Sequence, residues 1–242
     1  MLVLALDSAT NVASCAVVKE DNILVEFTLN TSKTHSERLM PLLSQALDYA
    51  DLTLEEIDGF SVSIGPGSFT GLRIGLATIK ALAFFTQKPL VGISTLDGLA
   101  ANLAHASGLI CPILTARRNE LYSALYLNSP GGQERISEYM VISPEKLVSF
   151  FAKLRPEEIT FLGDGTSMLP NNLQDVLGPG CVTASELDCL ARAASIGFLG
   201  LKRLKKGEHD DINSLSPFYI KASAAEDRLR QKTMTCEGEG NG

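Results

Sequence analysis

The sequence is poor in the residues that build metal and disulfide sites. It has no tryptophan and only five cysteines among 242 residues. No two of these form a C-x-x-C pair, which excludes the common zinc-binding arrangement. The cysteines stand singly, at Cys15, Cys111, Cys181, Cys189 and Cys236. Scattered thiols are typical of a reducing compartment, so we expect free, mostly buried thiols in a cytoplasmic protein.

Basic residues are also in deficit. Lysine and arginine number 21 against 28 acidic residues, for a net charge of −7 and a pI near 5.1. A protein that grips RNA alone presents a basic surface. If this chain acts on RNA, a partner is therefore expected to supply most of the phosphate contacts.

The chain also lacks an uninterrupted apolar run of the ~18 residues that a membrane span needs. Arg73 and Lys80 interrupt the longest one. The N-terminus has no basic region before its apolar stretch, and that stretch ends at Asp7. We therefore expect no membrane segment and no signal peptide, and we interpret residues 2–6 as a buried strand.

The apolar content, 45% of the residues, is sufficient for a substantial core. Strand-like and helix-like patterns follow in the order strand, strand, strand, helix, strand, helix, and a similar series then repeats. This order predicts two related α/β lobes, residues 1–106 and 107–223, with a helix at 185–206 that can pack back on the first lobe. Residues 224–242 carry charge and glycine without periodicity, which predicts a disordered tail.

The most distinctive segment is a glycine-rich turn between a predicted strand and a predicted helix, Gly65-Pro-Gly-Ser-Phe-Thr-Gly-Leu-Arg-Ile-Gly75. It lacks the lysine of a P-loop, the third glycine of a dinucleotide loop and the flanking glycines of a nucleophile elbow. We expect Gly67 or Gly71 to adopt a backbone conformation closed to other residues. The segment is interpreted as a structural turn whose defining residues are Gly65, Pro66, Gly67, Ser68 and Gly71.

Two predicted helices flank this turn. The first covers residues 35–50, with Thr34 and Glu37 at the spacing of a capping box. The second covers residues 70–86 and is apolar on nearly every side. Such a helix must be covered all round, either by its own lobe as a central core helix or in part by another subunit.

The glycine-rich turn, with His35-Ser-Glu37 before it and Ala-Arg-Arg-Asn-Glu-Leu-Tyr at residues 116–122 after it, closely resembles the TsaB (YeaZ) family. The resemblance extends from Leu2 to about Lys221. It implies the two-lobed α/β fold of actin, Hsp70 and the sugar kinases, the actin-like ATPase superfamily. It also implies a role in forming threonylcarbamoyladenosine in tRNA, next to the anticodon.

The role that the resemblance implies is non-catalytic and needs no cofactor. In the family, TsaD transfers the threonylcarbamoyl group from its adenylate, TsaB pairs with TsaD as a heterodimer, and the ATPase TsaE joins them in a ternary complex. The tRNA is then reached only through the complex. The family's pairing surface lies on the first two helices and could also support a homodimer. On this chain it corresponds to His35, Leu39, Leu43, Leu47, Thr70, Arg73 and Ile74.

Enzymes of the implied fold bind ATP phosphates at a turn after the first strand, which here contains Asp7, Ser8, Ala9 and Thr10. Ala9 replaces the usual glycine and hinders close approach of the backbone to a phosphate. Asp164, between two glycines, could belong to a second phosphate turn. Together these residues form either a degenerate nucleotide site, which we favour, or the ATP site of a small-molecule kinase.

Four further possibilities concern a metal site, a hydrolase site, the loop at residues 117–120 and a purely structural role. The catalytic TsaD carries two histidines one helical turn apart, but His35 is followed at that spacing by Leu39, so the resemblance implies no metal site. Ser68 has no base placed beside it in sequence, which disfavours a serine hydrolase. Residues 117–120 form either a salt-bridged loop or a contact to the other lobe or a ligand. The fourth possibility is a homodimeric structural protein without a link to RNA.

Overall fold

The structure, a computed structural model, describes residues 1–30 and 37–220. The predictions for Thr34, His35 and residues 224–242 lie outside the described part of the chain. The elements used below are β1 (Leu2–Asp7), β2 (Val12–Lys19), β3 (Asn22–Asn30), α1 (Leu39–Tyr49), β4 (Gly59–Gly65), α2 (Phe69–Thr86), β5 (Leu90–Ser94), α3 (Thr95–Ala101), β6 (Leu109–Thr115), β7 (Leu121–Ser123), β8 (Tyr126–Ser129), β9 (Gly132–Arg135), β10 (Met140–Ile142), α4 (Pro144–Leu154), β11 (Ile159–Leu162), α5 (Leu173–Leu177), β12 (Cys181–Thr183) and α6 (Ala193–Lys205).

The first lobe is built on a five-stranded sheet in the order β3-β2-β1-β4-β5. The strands β1, β2 and β3 are antiparallel neighbours, whereas β4 runs parallel to both β1 and β5. The central strands β1 and β4 are buried almost throughout. They are buried because helices cover both faces of the sheet; β1 is apolar up to Asp7, whereas β4 also buries Ser61 and Ser63.

The second lobe repeats this plan. Its main path is β10-β7-β6-β11-β12, with antiparallel pairs on one side of β6 and parallel pairs on the other. The hairpin of β8 and β9 is added beside β6. The prediction of an α/β protein with two related lobes is therefore confirmed, and each lobe has a tight turn after its first strand.

The first residue of the helix predicted at 185–206 was wrong. Residues 185–191 are a turn in which the Ser185 hydroxyl accepts from the Asp188 N–H and donates to the Asp188 carboxylate at 2.6 Å. These local bonds compete with the first helical turn, a common effect of serine and aspartate side chains. The helix α6 begins only at Ala193.

One face of the first sheet is covered by α6, although this helix follows the second lobe in sequence. It lies against β1, β2 and β4. At its start the Arg192 guanidinium pairs with the Glu26 carboxylate, which also accepts from the Ala194 N–H at 2.9 Å. Further along, the Ser61 hydroxyl donates to the Ile196 carbonyl at 2.8 Å. Through α6 the chain ties its last helix to its first sheet.

The other face of this sheet is covered by α1 and α2. Leu39 and Leu43 are 1% and 2% exposed and pack within the lobe's own core, and Leu47 is partly buried beside them. The expectation that Leu39 and Leu43 form an apolar stripe for a partner needs correction. Both point inward in this chain because the sheet, not a second protein, covers that side of α1.

The helix α2 has one face in the core and one toward solvent. Leu72, Leu76 and Ile79 are buried, whereas Phe84 and Phe85 are 66% and 75% exposed. Among the described residues, α2 alone has the length and mean hydropathy, 1.3, of a membrane span, with 33% of it buried. A core helix with an apolar outer face meets the same criteria, so the absence of a membrane segment stays a prediction.

Candidate functional site

A cleft of about 440 Å³ separates the two lobes. Its first wall consists of residues 9–11 and 67–70, and its second of residues 114–118 with Glu120, Tyr122 and Asp164; Tyr219 closes one side. A cleft of this size between lobes is the default place to search for a ligand. The cleft brings together two of the predicted nucleotide residues, Thr10 and Asp164.

The other two predicted nucleotide residues lie beneath this surface. Asp7 and Ser8 are 1% and 0% exposed, and Ala9 is 1% exposed. The Asp7 carboxylate accepts from the Ala9 N–H at 2.9 Å, and the Ser8 N–H donates weakly to the Ser63 hydroxyl at 3.4 Å. Phosphates bind such turns through free backbone N–H groups. Here the N–H groups of Ser8 and Ala9 are used within the protein and shielded from solvent, whereas Thr10 and Asn11 line the cleft.

The glycine-rich turn closes over this first turn. The Ser68 N–H donates to the Ala9 carbonyl at 2.6 Å, and the Ser68 hydroxyl caps α2 by accepting from the Gly71 N–H at 3.2 Å. A Cβ at Gly67 would lie 2.2 Å from the Ala9 oxygen. The expected positive φ at Gly67 or Gly71 was wrong, since Gly65 has it, at 117°. Gly67 is required by close approach instead.

The second wall differs from the prediction. Asp164 follows β11, and its carboxylate accepts from the Thr115 N–H at 2.7 Å. The turn that matches residues 8–11 in topology is the one between β6 and β7, with Arg118 and Asn119 exposed at φ of 59° and 58°. Sequence analysis suggested that Asp164 could belong to a second phosphate turn. The repeated strand order points instead to the turn between β6 and β7 as the topological match, and could have been read from the sequence.

The segment after α6 reaches the cleft, which sequence analysis missed. The Phe218 N–H donates to the Ile64 carbonyl at 2.7 Å, so the segment is fastened to β4. The Tyr219 ring then stacks on Phe69, with centroids 5.3 Å apart, and the Tyr219 hydroxyl accepts from Arg73 Nε at 3.1 Å. The start of α2 is therefore held by the C-terminal part of the described chain.

A polar cluster joins α3 to strands and loops of the second lobe. One oxygen of the Asp97 carboxylate, on α3, accepts from the hydroxyls of Tyr126 and Tyr139, at 2.5 Å and 2.8 Å. Burial and the negative charge of Asp97 raise the pKa of both phenols, that of Tyr139 to about 12. Both hydroxyls therefore stay protonated and donate throughout the physiological range.

The four described cysteines are free thiols, and the described residues contain no cluster of metal ligands. Cys15, Cys111 and Cys181 are buried and Cys189 is partly buried, all of them free, which confirms the prediction for these four. Burial raises the pKa of Cys15 and of Cys111 to about 12. Within residues 1–30 and 37–220, no three His, Cys, Asp or Glu side chains are grouped to hold a metal ion.

Comparison with known proteins identifies the family. A family model described as TsaD, tRNA N6-adenosine threonylcarbamoyltransferase, matches residues 23–229. A Bacillus subtilis protein named tRNA threonylcarbamoyladenosine biosynthesis protein TsaB is 34% identical over 227 residues, 93% of this chain and 96% of the relative. The chain belongs to the TsaB family. The Escherichia coli TsaB is 26% identical over 96% of this chain and 100% of its own length.

Solved structures agree with this assignment. A Pseudomonas aeruginosa protein described as similar to peptidase YeaZ has a TM-score of 0.76 and 25% identity over 91% of this chain and 99% of that one. The ROK hexokinase of Thermus thermophilus, at 12% identity and a TM-score of 0.50 over 85% of this chain and 100% of that one, shares the fold alone. The TsaB-family chain thus has the two-lobed fold of the actin-like ATPase superfamily, and its family acts in tRNA threonylcarbamoyladenosine biosynthesis.

Proposed function

We propose that this chain is a non-catalytic subunit in threonylcarbamoyladenosine formation and that it acts by pairing with TsaD. In this proposal TsaD modifies the adenosine next to the anticodon, and the ATPase TsaE joins the pair. Membership of the TsaB family and the match to the TsaD family model support it. The net charge of −7 supports a chain that reaches tRNA only through its partners.

The observation that carries the non-catalytic role is the closed turn after β1. Enzymes of this fold present the N–H groups of that turn to ATP phosphates, but here Ser8 and Ala9 are buried beneath the glycine-rich turn. Opening it would break the 2.6 Å bond from the Ser68 N–H to the Ala9 carbonyl. Phosphates could therefore reach the N–H groups of Ser8 and Ala9 only if this contact opened, which leaves Thr10 and Asn11 as the part of the turn that faces the cleft.

The outer faces of α1 and α2 support the pairing role. Ala77 and Ala81 are exposed one helical turn apart on α2, and Phe84 and Phe85 follow them in solvent. On α1, Met40 is 52% exposed. Small residues let a second helix approach closely, and flanking aromatic and methionine side chains supply apolar area.

We therefore keep the α1–α2 pair as the proposed surface but assign it to these exposed residues. Thr70 and Arg73 are exposed and Ile74 is partly exposed, so they stay within it. Leu39 and Leu43 are removed from it because they are core residues. A second copy of the chain could occupy the same face when TsaD is absent.

The test combines pairing with turnover. The isolated chain should show no ATP hydrolysis above background and should co-purify with TsaD of the same organism. Turnover near ~1 per second, in the ordinary range for enzymes, would favour the kinase alternative. Absence of any complex between the two wild-type proteins would overturn the proposal.

A pair of variants locates the surface. Ala81→Asp places a carboxylate where the partner would pack, and should weaken binding to TsaD by at least about tenfold because the charge would be desolvated. Leu187→Asp is the matched control, since Leu187 is 77% exposed on the second lobe. It should bind as the wild type does. Equal affinities for both variants would exclude this face.

A further inference from the structure

The two cationic side chains of α2, Arg73 and Lys80, differ in their hydrogen-bond partners. Lys80 Nζ donates to the carbonyl oxygens of Leu215 and Asn213, at 3.0 Å and 3.5 Å, so its ammonium group is held against its own chain. Arg73 is exposed, and only its Nε has a hydrogen-bond acceptor among residues 1–30 and 37–220, the Tyr219 hydroxyl. Within the same residues no carboxylate forms an ion pair with Arg73.

The guanidinium of Arg73 is nevertheless held in place. Its central carbon lies 3.7 Å from the centroid of the Phe69 ring, a cation–π contact. Tyr219 stacks on the same ring and accepts from Nε, and Tyr219 is itself placed by the bond from the Phe218 N–H to Ile64. The two terminal nitrogens of Arg73 thus form an oriented fork without an acceptor in the described chain.

A fork of this kind matches a planar carboxylate in a bidentate pair. Because its side chain is already ordered, less conformational entropy is lost when a partner binds. Ile74 and Ala77 continue the apolar face directly beside Arg73. Because its neighbours on α2 are apolar, a carboxylate from a packed protein is a better match for Arg73 than a nucleic acid phosphate. The exposed cations Arg117 and Arg118 lie on the other wall of the cleft, on the second lobe.

We propose that Arg73 is the polar contact of the α1–α2 surface and binds a carboxylate side chain of the partner, with Tyr219 as its positioning residue. This inference rests on the proposed function, because the partner is the one that packs on α2. It adds the chemistry that the partner must offer: an Asp or Glu at the edge of an apolar helical face, opposite the first turns of α2.

The test measures affinity for TsaD by titration, using variants that keep the wild-type circular dichroism. Arg73→Gln should weaken binding at least about tenfold, as expected for an interfacial arginine. Arg73→Lys keeps the charge but loses the fork, and should restore only part of the affinity. Arg155→Gln, at an exposed arginine that ends α4, is the matched control and should bind as wild type. Added salt should weaken the wild-type complex more than the Arg73→Gln complex.

Tyr219→Phe removes only the hydroxyl that orients Arg73. It should weaken binding by roughly threefold in the wild-type background and have no further effect in the Arg73→Gln background. Equal loss in both backgrounds would mean that Tyr219 contacts the partner itself, and would overturn its positioning role. Full affinity of Arg73→Lys would overturn the bidentate pair.

Failure of this inference can be told apart from failure of the proposed function. If Arg73→Gln binds TsaD as tightly as the wild type while Ala81→Asp does not, the carboxylate contact is wrong and the pairing surface stands. If the wild-type chain does not bind TsaD, both are overturned.

Discussion

The two lobes share one strand order, yet the turns after their first strands lie in opposite environments. In the first lobe Ser8 and Ala9 are buried under the glycine-rich turn. In the second lobe the equivalent turn carries Arg118 and Asn119 in solvent. The topology that supports nucleotide binding elsewhere is present twice. Access of a phosphate to such a turn depends on how the neighbouring loop packs on it. The glycine-rich turn covers Ser8 and Ala9 and leaves Thr10 and Asn11 at the cleft. The loop at Asp164 contacts Thr115 and leaves Arg118 and Asn119 exposed.

The largest expected loss of stability comes from separating the glycine-rich turn from the turn after β1. A Cβ at Gly67 would lie 2.2 Å from the Ala9 oxygen, so Gly67→Val should destabilise the protein by roughly 3 kcal/mol or more. For a chain of this size that corresponds to a fall in melting temperature of about 6–12 °C. Gly131→Val in the second lobe is the control, because the nearest atom to its Cβ is 3.6 Å away. Equal melting temperatures for the two variants would show that the close approach of Gly67 to Ala9 does not restrict this position.

A smaller effect is expected where α6 is fastened to the first sheet. Glu26→Ala leaves Arg192 and the Ala194 N–H without their shared acceptor, and should cost about 2 kcal/mol of unfolding free energy. Glu138→Ala removes a second-lobe carboxylate whose side chain is 99% exposed and whose pair with Arg135 spans 3.9 Å. This control should leave the urea midpoint unchanged, since exposed pairs contribute little. If the two substitutions shifted the midpoint alike, α6 would not depend on Glu26.

Substitutions at the junction between the lobes should lower the free energy of unfolding by a smaller amount. Tyr139→Phe removes one of two hydrogen bonds to Asp97 and should cost about 1 kcal/mol, measured by urea unfolding. Tyr126→Phe should cost at least as much, because its ring is 3% exposed and its bond to Asp97 is the shorter. The ranking would be contradicted if only the Tyr139 substitution changed stability.

Thiol reagents are expected not to modify Cys15 in the first lobe or Cys111 in the second. Burial raises the pKa of Cys15 and Cys111 to about 12, so thiol reagents at pH 8 should leave both unmodified in the native protein, as peptide mapping would reveal. The raised folded-state pKa means that the native state holds its protons longer than the unfolded chain. Stability should therefore fall as the pH rises above ~8.5, where an unfolded cysteine begins to ionise. Rapid native labelling of either thiol would show that its lobe opens locally.

Much of the fold follows from local pattern. The helix α4 begins where local sequence favours a helix start, because Pro144 fits the first turn and Ser143 caps it. The start of α6 could not be predicted from the sequence. The turn at Ser185 competes with a helix, and Arg192 forms an ion pair with Glu26 on a strand distant in sequence. Local spacing carries no information about a partner so far away in sequence.

The candidate site was predictable only in part. The glycine-rich turn and the departure at Ala9 were visible in sequence, and both bear on the closed turn. The inward orientation of Leu39 and Leu43 was not, because a leucine stripe looks the same whether a sheet or a partner covers it. The stacking of Tyr219 on Phe69 depends on the path of the chain after α6, which no local motif predicts.

The central claim is that this chain supports the chemistry without performing it. The most direct test is threonylcarbamoyladenosine formation by the reconstituted complex of this chain with TsaD, TsaE, tRNA and threonylcarbamoyl adenylate. The chain would carry Thr10→Ala and Asp164→Asn, which change the described cleft residues most suited to nucleotide chemistry. With pairing to TsaD confirmed by titration, the account predicts a rate within about twofold of the wild type. A loss of a hundredfold or more, the size expected for removal of an acid–base group, would show that the cleft of this chain takes part in the reaction.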